Sequence, residues 1–146
     1  MSLELGTLGA VIAFAIDLED EAERFYTRAS GEAQVDRARD AFRELALEAG
    51  KRKRDLERLR RESVLEMTLE PIHGLQPSAY TLEEHSASTA DLAEVVHQAR
   101  ELENRTLRFF VDAADKVSVN EIRTGFVRLA NGARRRSERL QSLTDS

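Results

Sequence analysis

The chain has no cysteine or tryptophan, and its 146 residues include only 2 prolines and 7 glycines. Without cysteine there is no disulfide, no thiolate metal site and no cysteine nucleophile. So few turn residues are not expected in a loop-rich β protein. The sequence also lacks the run of about 18 apolar residues that spans a bilayer, and it does not open with a basic segment followed by an apolar stretch. We therefore expect a cytoplasmic protein that does not enter a membrane.

Charge and helix-forming residues are abundant instead. Charged residues make up 34% of the chain and aromatic residues 5%, with a formal net charge of −5. A composition rich in Ala, Leu, Glu and Arg is typical of long helices. The length fits one domain over residues 1–146. The negative net charge weakly opposes bulk binding to nucleic acid.

The two halves of the chain resemble each other. Residues 8–59 align without a gap to residues 92–143, and about a third of the aligned pairs are identical. Such an internal repeat sets the architecture before any local feature is considered. It predicts two duplicated helical hairpins, 8–62 and 89–143, joined by a long crossover, 63–88.

Apolar residues recur at steps of three and four within each half, which is the spacing of one helix face. The predicted helices run from an N-cap at Thr7 to Gly31, from Asp36 to Glu62, from a capping box at Asp91 and Glu94, and from a second capping box at Ser118 and Glu121. Each hairpin can bury its apolar stripe only against the other hairpin. The sequence therefore predicts an all-α four-helix bundle with one long crossover.

Four charged residues interrupt the otherwise apolar stripes. Glu19 and Glu103 lie at matching positions of the odd helices, and Arg52 and Arg136 at matching positions of the even helices. An isolated buried charge is too costly to persist, but two carboxylates and two guanidiniums sum to zero. Arginine can also bind a carboxylate bidentately. We therefore predict a buried ion-pair cluster; the alternative is four edge positions whose charged ends reach solvent.

The sequence resembles a known family at these positions. Both hairpins, which contain AIDLEDEAERFY, FRELALEAGKRKRDL, ARELENRTLRFF and FVRLANGARRRSERL, look like the rubrerythrin branch of the ferritin-like superfamily. The resemblance implies a ferritin-like four-helix bundle. It also implies a di-iron centre held by one Glu from each odd helix and a Glu-x-x-His from each even helix.

Most of the ligands implied by that resemblance are replaced in this chain. The six corresponding positions are Glu19, Ala49, Arg52, Glu103, Ala133 and Arg136. Only the two glutamates keep a ligand side chain, and the set carries no net charge without metal. We therefore expect a rubrerythrin-like protein that has lost its di-iron site, binds no cofactor and acts as a non-catalytic structural or interaction module.

Two other functions are alternatives for this sequence. The first is a non-haem iron oxidoreductase of peroxidase or ferroxidase type, with iron held by the remnant carboxylates Glu19 and Glu103. Two carboxylates are a poor ligand set, because protein-bound iron usually has imidazole ligands as well. The second is nucleic-acid binding through the basic stretches 51–61 and 134–139. These stretches lack interleaved aromatic residues, and their cations complement the helix dipole, so nucleic acid is disfavoured. The resemblance suggests a homo-oligomer, expected as a dimer; a protein partner cannot be named from the sequence.

The remaining candidates are interpreted as structural. Tyr26, which matches Phe110 in the second half, is expected to pack in the core rather than to stand beside a metal. The three histidines, His73, His85 and His97, have no metal-ligand spacing among them and are expected on the surface or in loops.

Overall fold

The computed structural model describes residues 4–63, 71–82 and 91–145, and within these ranges it is helical without any strand. Its long helices are α1 (Leu8–Glu32), α2 (Asp36–Glu62), α3 (Leu92–Lys116) and α4 (Asn120–Ser142), and a 3₁₀ helix covers Pro77–Tyr80. None of these helices is both long enough and apolar enough to cross a membrane. The predicted all-α fold is confirmed.

Two helix starts follow the predicted capping chemistry. The Thr7 hydroxyl accepts a hydrogen bond from the Ala10 N–H at 3.0 Å, and the Asp91 carboxylate accepts one from the Ala93 N–H at 3.0 Å. Each side chain satisfies a backbone donor that the first turn of a helix leaves open. The ends of α1 and α2 lie within one residue of their expected positions.

The predicted start of the fourth helix is wrong by one residue. Val119, not Ser118, is the N-cap of α4, and a valine side chain cannot accept a hydrogen bond from the first turn. Val119 packs against a buried cluster that includes Val117. Helix α4 therefore begins one residue later than the capping box at Ser118 and Glu121 predicts, where Val117 and Val119 pack against the apolar core.

The bundle is built from two antiparallel hairpins. Helix α1 packs on α2, and α3 packs on α4. The predicted stripes face inward and form two apolar clusters, one toward each end of the bundle. One cluster includes Phe109, Phe110 and Phe126, and the other includes Phe42 and Leu45, all at most 1% exposed. This arrangement agrees with the four-helix bundle expected from the sequence.

The described part of the connection between the hairpins is fastened to the bundle. Leu5 donates its N–H to the Leu75 carbonyl at 2.8 Å, and Ile72 donates to the Gly6 carbonyl at 2.9 Å. Ile72, Leu75 and Tyr80 are buried. Residues 71–82 thus contribute to the core rather than simply joining two helices. The remainder of the predicted crossover, with His85 and the predicted start of the second hairpin at 89, lies outside the described residues.

Tyr80 closes this end of the bundle. Its ring meets Phe109 edge to face at 5.2 Å between centroids, and its hydroxyl donates to Asp112 Oδ2 at 2.5 Å. Burial of a tyrosine stabilises a fold when its hydroxyl has such a hydrogen-bond partner. The connection is therefore held by apolar burial, by the backbone hydrogen bonds of Leu5 and Ile72, and by charge-assisted hydrogen bonds such as that of Tyr80 to Asp112.

Truncating Leu75 should destabilise the whole bundle. Leu75 is 1% exposed, so Leu75→Ala leaves a cavity and should lower the free energy of unfolding by about 2–5 kcal/mol. Leu47, which is 70% exposed, provides the matched control, and Leu47→Ala should stay within about 0.5 kcal/mol of the parent. Urea unfolding followed by circular dichroism measures both. Equal, small losses would show that residues 71–82 are not part of the cooperative core.

Candidate functional site

The four stripe charges lie together at mid-height of the bundle. They occupy one layer, contributed by all four helices, between the two apolar clusters. Glu19 is 1% exposed and Glu103 is 2% exposed, while the side chains of Arg52 and Arg136 are 14% and 9% exposed. The charged ends therefore face each other in the interior rather than the solvent.

Each glutamate pairs with the arginine of its own hairpin. Arg52 Nε donates to Glu19 Oε2 at 2.5 Å, and Arg52 Nη2 donates to Glu19 Oε1 at 3.4 Å. In the second hairpin, Arg136 Nε lies 3.1 Å from both carboxylate oxygens of Glu103. The sequence had left this pairing open. In both cases the partners are 33 residues apart, as the register of the two hairpins requires.

Tyr26 joins the two hairpins through the cluster. Its ring, which is fully buried, stacks on Phe42, as the expected core packing requires. Its hydroxyl also donates to Glu103 Oε2 at 2.6 Å, from α1 to α3. That second role was missed, although a tyrosine two turns from a stripe glutamate is a visible signal. Glu103 thus has donors from both Arg136 and Tyr26.

The two halves of the cluster are not equivalent. Phe110 occupies the position that matches Tyr26, so no phenol reaches Glu19 from there. Burial raises the pKa of the Glu19 carboxyl above its ordinary value, although Arg52 acts in the opposite direction. The charges of Arg136 and Glu103 also act on this pKa, which makes the two pairs one electrostatic cluster. Among the described residues, Glu19 therefore receives hydrogen bonds from Arg52, whereas Glu103 receives them from both Arg136 and Tyr26.

Arg136 is held firmly in its charged state. Burial alone would lower the pKa of its guanidinium, but Glu103, Glu19 and Tyr26 together reverse that effect and raise it. Its Nη2 lies 3.1 Å from Glu103 Oε1 but finds no acceptor with hydrogen-bonding geometry among the described residues. The cluster thus contains a buried donor that is stabilised by charge rather than by a directed bond.

A second buried arginine, missed by the sequence analysis, bridges the hairpins. Arg105 on α3 is 4% exposed and donates to Glu21 on α1 at 2.6 Å. Arg105 lies three residues after Leu102 and four before Phe109, so its position on the stripe could have been read from the spacing. Glu21 and Arg105 occupy the same position in the two repeats.

The other sequence candidates lie on the surface or in side-chain networks. His73 is exposed, and His97 is exposed beside Glu101 at 2.7 Å. In the first basic stretch, Lys53 binds Asp20 and Glu23 on α1, and in the second Arg139 binds Glu44 and Glu48 on α2. These cations therefore help to fasten neighbouring helices.

The positions next to the cluster are small. Ala49 and Ala133, one turn before Arg52 and Arg136, are both completely buried. Their methyl groups bring no donor or acceptor to the layer. Within the described residues there is no group of three His, Cys, Asp or Glu side chains that could hold a metal ion. Among the described residues, the groups joined by hydrogen bonds in this layer are two carboxylates, two guanidiniums and one phenol.

Comparison with known proteins identifies the family. The family model for rubrerythrin matches residues 10–144, which is nearly the whole chain. Comparison with curated proteins and with solved structures gives no match. The chain belongs to the rubrerythrin family, as its sequence pattern suggested.

Removing one partner of the buried pair should be costly. Arg136→Ala leaves Glu103 without its guanidinium, and we expect a loss of roughly 3–5 kcal/mol in the free energy of unfolding. Arg134→Ala, an exposed change two residues away, is the control and should stay within about 0.5 kcal/mol. Urea denaturation measures both variants. A loss below about 1 kcal/mol for Arg136→Ala would mean that the pair behaves as a solvent-exposed one.

The two tyrosines should titrate only when the chain unfolds. Burial, reinforced by Glu103, raises the pKa of Tyr26 well above 10, and burial reinforced by Asp112 raises that of Tyr80. The stability that these groups contribute is fully present below pH 10. It is lost as the pH rises above 10, by up to about 1.4 kcal/mol per pH unit for each phenol.

Absorbance at 295 nm tests this directly, because the chain has 2 tyrosines and no tryptophan. Tyrosinate absorbance should rise in step with the loss of helical circular dichroism. Tyr26→Phe leaves Tyr80 as the single reporter and should reduce the steepness of the alkaline transition. Ionisation of either tyrosine near pH 10 in the folded protein would contradict the burial described here.

Proposed function

We propose that this member of the rubrerythrin family has replaced its di-iron centre with the Glu/Arg cluster and acts as a non-catalytic structural or interaction module. The proposal rests on the hydrogen-bond partners of the two remaining carboxylates. Glu19 and Glu103 both accept hydrogen bonds from buried guanidiniums, so their oxygens are occupied by protein donors.

The residues present do not fit a pair of iron ions. At the positions where the family resemblance implies Glu-x-x-His, Ala49 and Ala133 supply methyl groups, and Arg52 and Arg136 supply cations. A divalent ion beside Glu103 would have to displace both Arg136 and Tyr26 from the carboxylate. It would also meet two fixed positive charges at short range in a low-dielectric interior.

Charge balance supports the same conclusion. Two carboxylates and two guanidiniums are neutral together, so the layer needs no external cation. The pKa of Arg136 is raised by Glu103, which keeps this guanidinium charged throughout the physiological pH range. An arginine cannot vacate the site by losing its proton, as a lysine or histidine could. The cluster is thus a fixed substitute for a metal ion.

The interaction role follows from what the bundle retains. We propose that the chain keeps the family fold without a redox group and that its function lies on its surface, in a cytoplasmic protein. A homodimer also belongs to this proposal, and sedimentation equilibrium would test it. A remnant iron enzyme using Glu19 and Glu103 is the competing function, and metal content separates it from ours.

The protein, purified from cells grown in iron-supplemented medium, should contain well below one iron ion per chain. A variant carrying Ala49→Glu, Arg52→His, Ala133→Glu and Arg136→His restores the six ligand types implied by the family resemblance. Provided that it remains helical by circular dichroism, its iron content should rise toward two per chain. Elemental analysis of both proteins, prepared in parallel, gives the comparison.

The unaltered protein also tests the proposal without that variant. An iron content near two per chain that disappears on Glu103→Gln would establish a working metal site at the cluster. That result would overturn the proposed function and favour the iron oxidoreductase. Glu138→Gln, an exposed change, serves as the control for nonspecific metal binding to surface carboxylates.

A further inference from the structure

The solvent side of α2 carries a basic stripe that the cluster does not use. Leu47, Lys51, Arg54, Arg58 and Arg61 follow one another at steps of three and four, so they lie on one side of the helix. All five are exposed, and Leu47 is 70% exposed. We call these five residues the basic face of α2.

The cations of this face differ from their neighbours in lacking firm partners. Within the same stretch, Arg52 is engaged by Glu19, and Lys53 by two carboxylates of α1. On the basic face, among the residues the structure describes, only Arg58 has a carboxylate within 4 Å, and that pair with Asp55 is long at 3.7 Å and well exposed. Such a pair contributes little. A chain with a net charge of −5 therefore presents a positive stripe on this face of α2, beside which Asp55, Glu57 and Glu62 lie on the same helix.

We infer that the basic face of α2 binds an acidic amphipathic helix of a partner protein. The inference gives a partner class to the interaction role proposed above, and it rests on that role. A second helix rises by the same 1.5 Å per residue, so glutamates at matching steps can meet the four cations over about 15 Å. An apolar residue one turn beyond them would cover Leu47. Helix-to-helix recognition of this kind combines an apolar anchor with flanking charges that select the partner.

Charge and composition favour a helix over nucleic acid. Binding of single strands relies on aromatic side chains that stack on bases, and the basic face has none. Its exposed leucine would gain nothing from a phosphate backbone, and the negative net charge of the chain opposes the approach of a polyanion. A partner helix with glutamates and an apolar residue would contact both the cations and Leu47.

A second copy of this chain is a poorer fit. Three acidic residues of α1 that could oppose the basic face are already engaged within the chain. Glu21 accepts from Arg105, and Asp20 and Glu23 both accept from Lys53. To pair with another molecule, these carboxylates would have to give up the contacts that fasten α1 to α2 and α3.

The inference can be tested with a synthetic peptide and matched charge reversals. The probe is a fluorescein-labelled acidic helical peptide with Glu at positions i, i+3, i+7 and i+10 and a Leu one turn beyond, and its binding is followed by fluorescence anisotropy at low salt. Arg54→Glu with Arg58→Glu should weaken binding at least about tenfold. The control, Arg28→Glu with Arg134→Glu, changes the net charge equally on other helices and should change affinity less than about twofold. Circular dichroism verifies that each variant folds.

Leu47→Asn separates the two macromolecular classes. This change should lower the affinity for the acidic peptide by about threefold or more, whereas the affinity for a labelled DNA duplex would not depend on this side chain. The inference is overturned if the peptide does not bind, if both double variants bind it equally, or if the duplex binds as tightly as the peptide. Dimerisation abolished by the Arg54/Arg58 reversal would instead assign the face to a second copy. Iron content is measured independently, so failure here is distinct from failure of the metal-free proposal.

Discussion

The bundle depends on the pairing of buried carboxylates with buried guanidiniums at its centre. Each of these groups would be strongly unfavourable alone in the interior, and each is tolerated because a partner from the next helix lies within hydrogen-bonding distance. The pairing divides the apolar core into two clusters, one on either side of the charged layer. The helices can therefore pack at only those registers that bring Glu19 to Arg52 and Glu103 to Arg136.

The pairing also explains how the hairpins meet. Because each hairpin contains one carboxylate and one guanidinium, its own share of the charged layer is neutral before the hairpins dock. The bonds between hairpins then include those of Tyr26 to Glu103, of Arg105 to Glu21 and of Arg139 to Glu44 and Glu48. Glu21 and Arg105 occupy matching positions in the two repeats, so identical residues there would have placed like charges together. Divergence of the halves allows a salt bridge that two identical hairpins could not form.

Much of this arrangement could be predicted from the sequence, and the failures have identifiable causes. The stripes located the helices, and the internal repeat located the four central charges, because periodicity and alignment need no three-dimensional information. Residue pairing within each hairpin, the hydroxyl contact of Tyr26 and the burial of Arg105 depend on how helices rotate and slide against one another. Val119 at the start of α4 shows a related limit, since the helix begins one residue later than the local capping pattern predicts.

Stability alone does not account for a charged layer in this position. A layer of well-packed apolar side chains of similar volume can be as stable as a buried ion-pair cluster, or more so. An apolar layer, however, does not strongly favour one register of the helices over another. A slip of one helical turn, about 5.4 Å, would let leucines and phenylalanines find new apolar neighbours. The same slip between the hairpins would separate Tyr26 from Glu103 and leave a buried carboxylate with fewer donors. The Glu/Arg pairs therefore specify the register of the helices within each hairpin, and the bond from Tyr26 to Glu103 helps to specify how the two hairpins align.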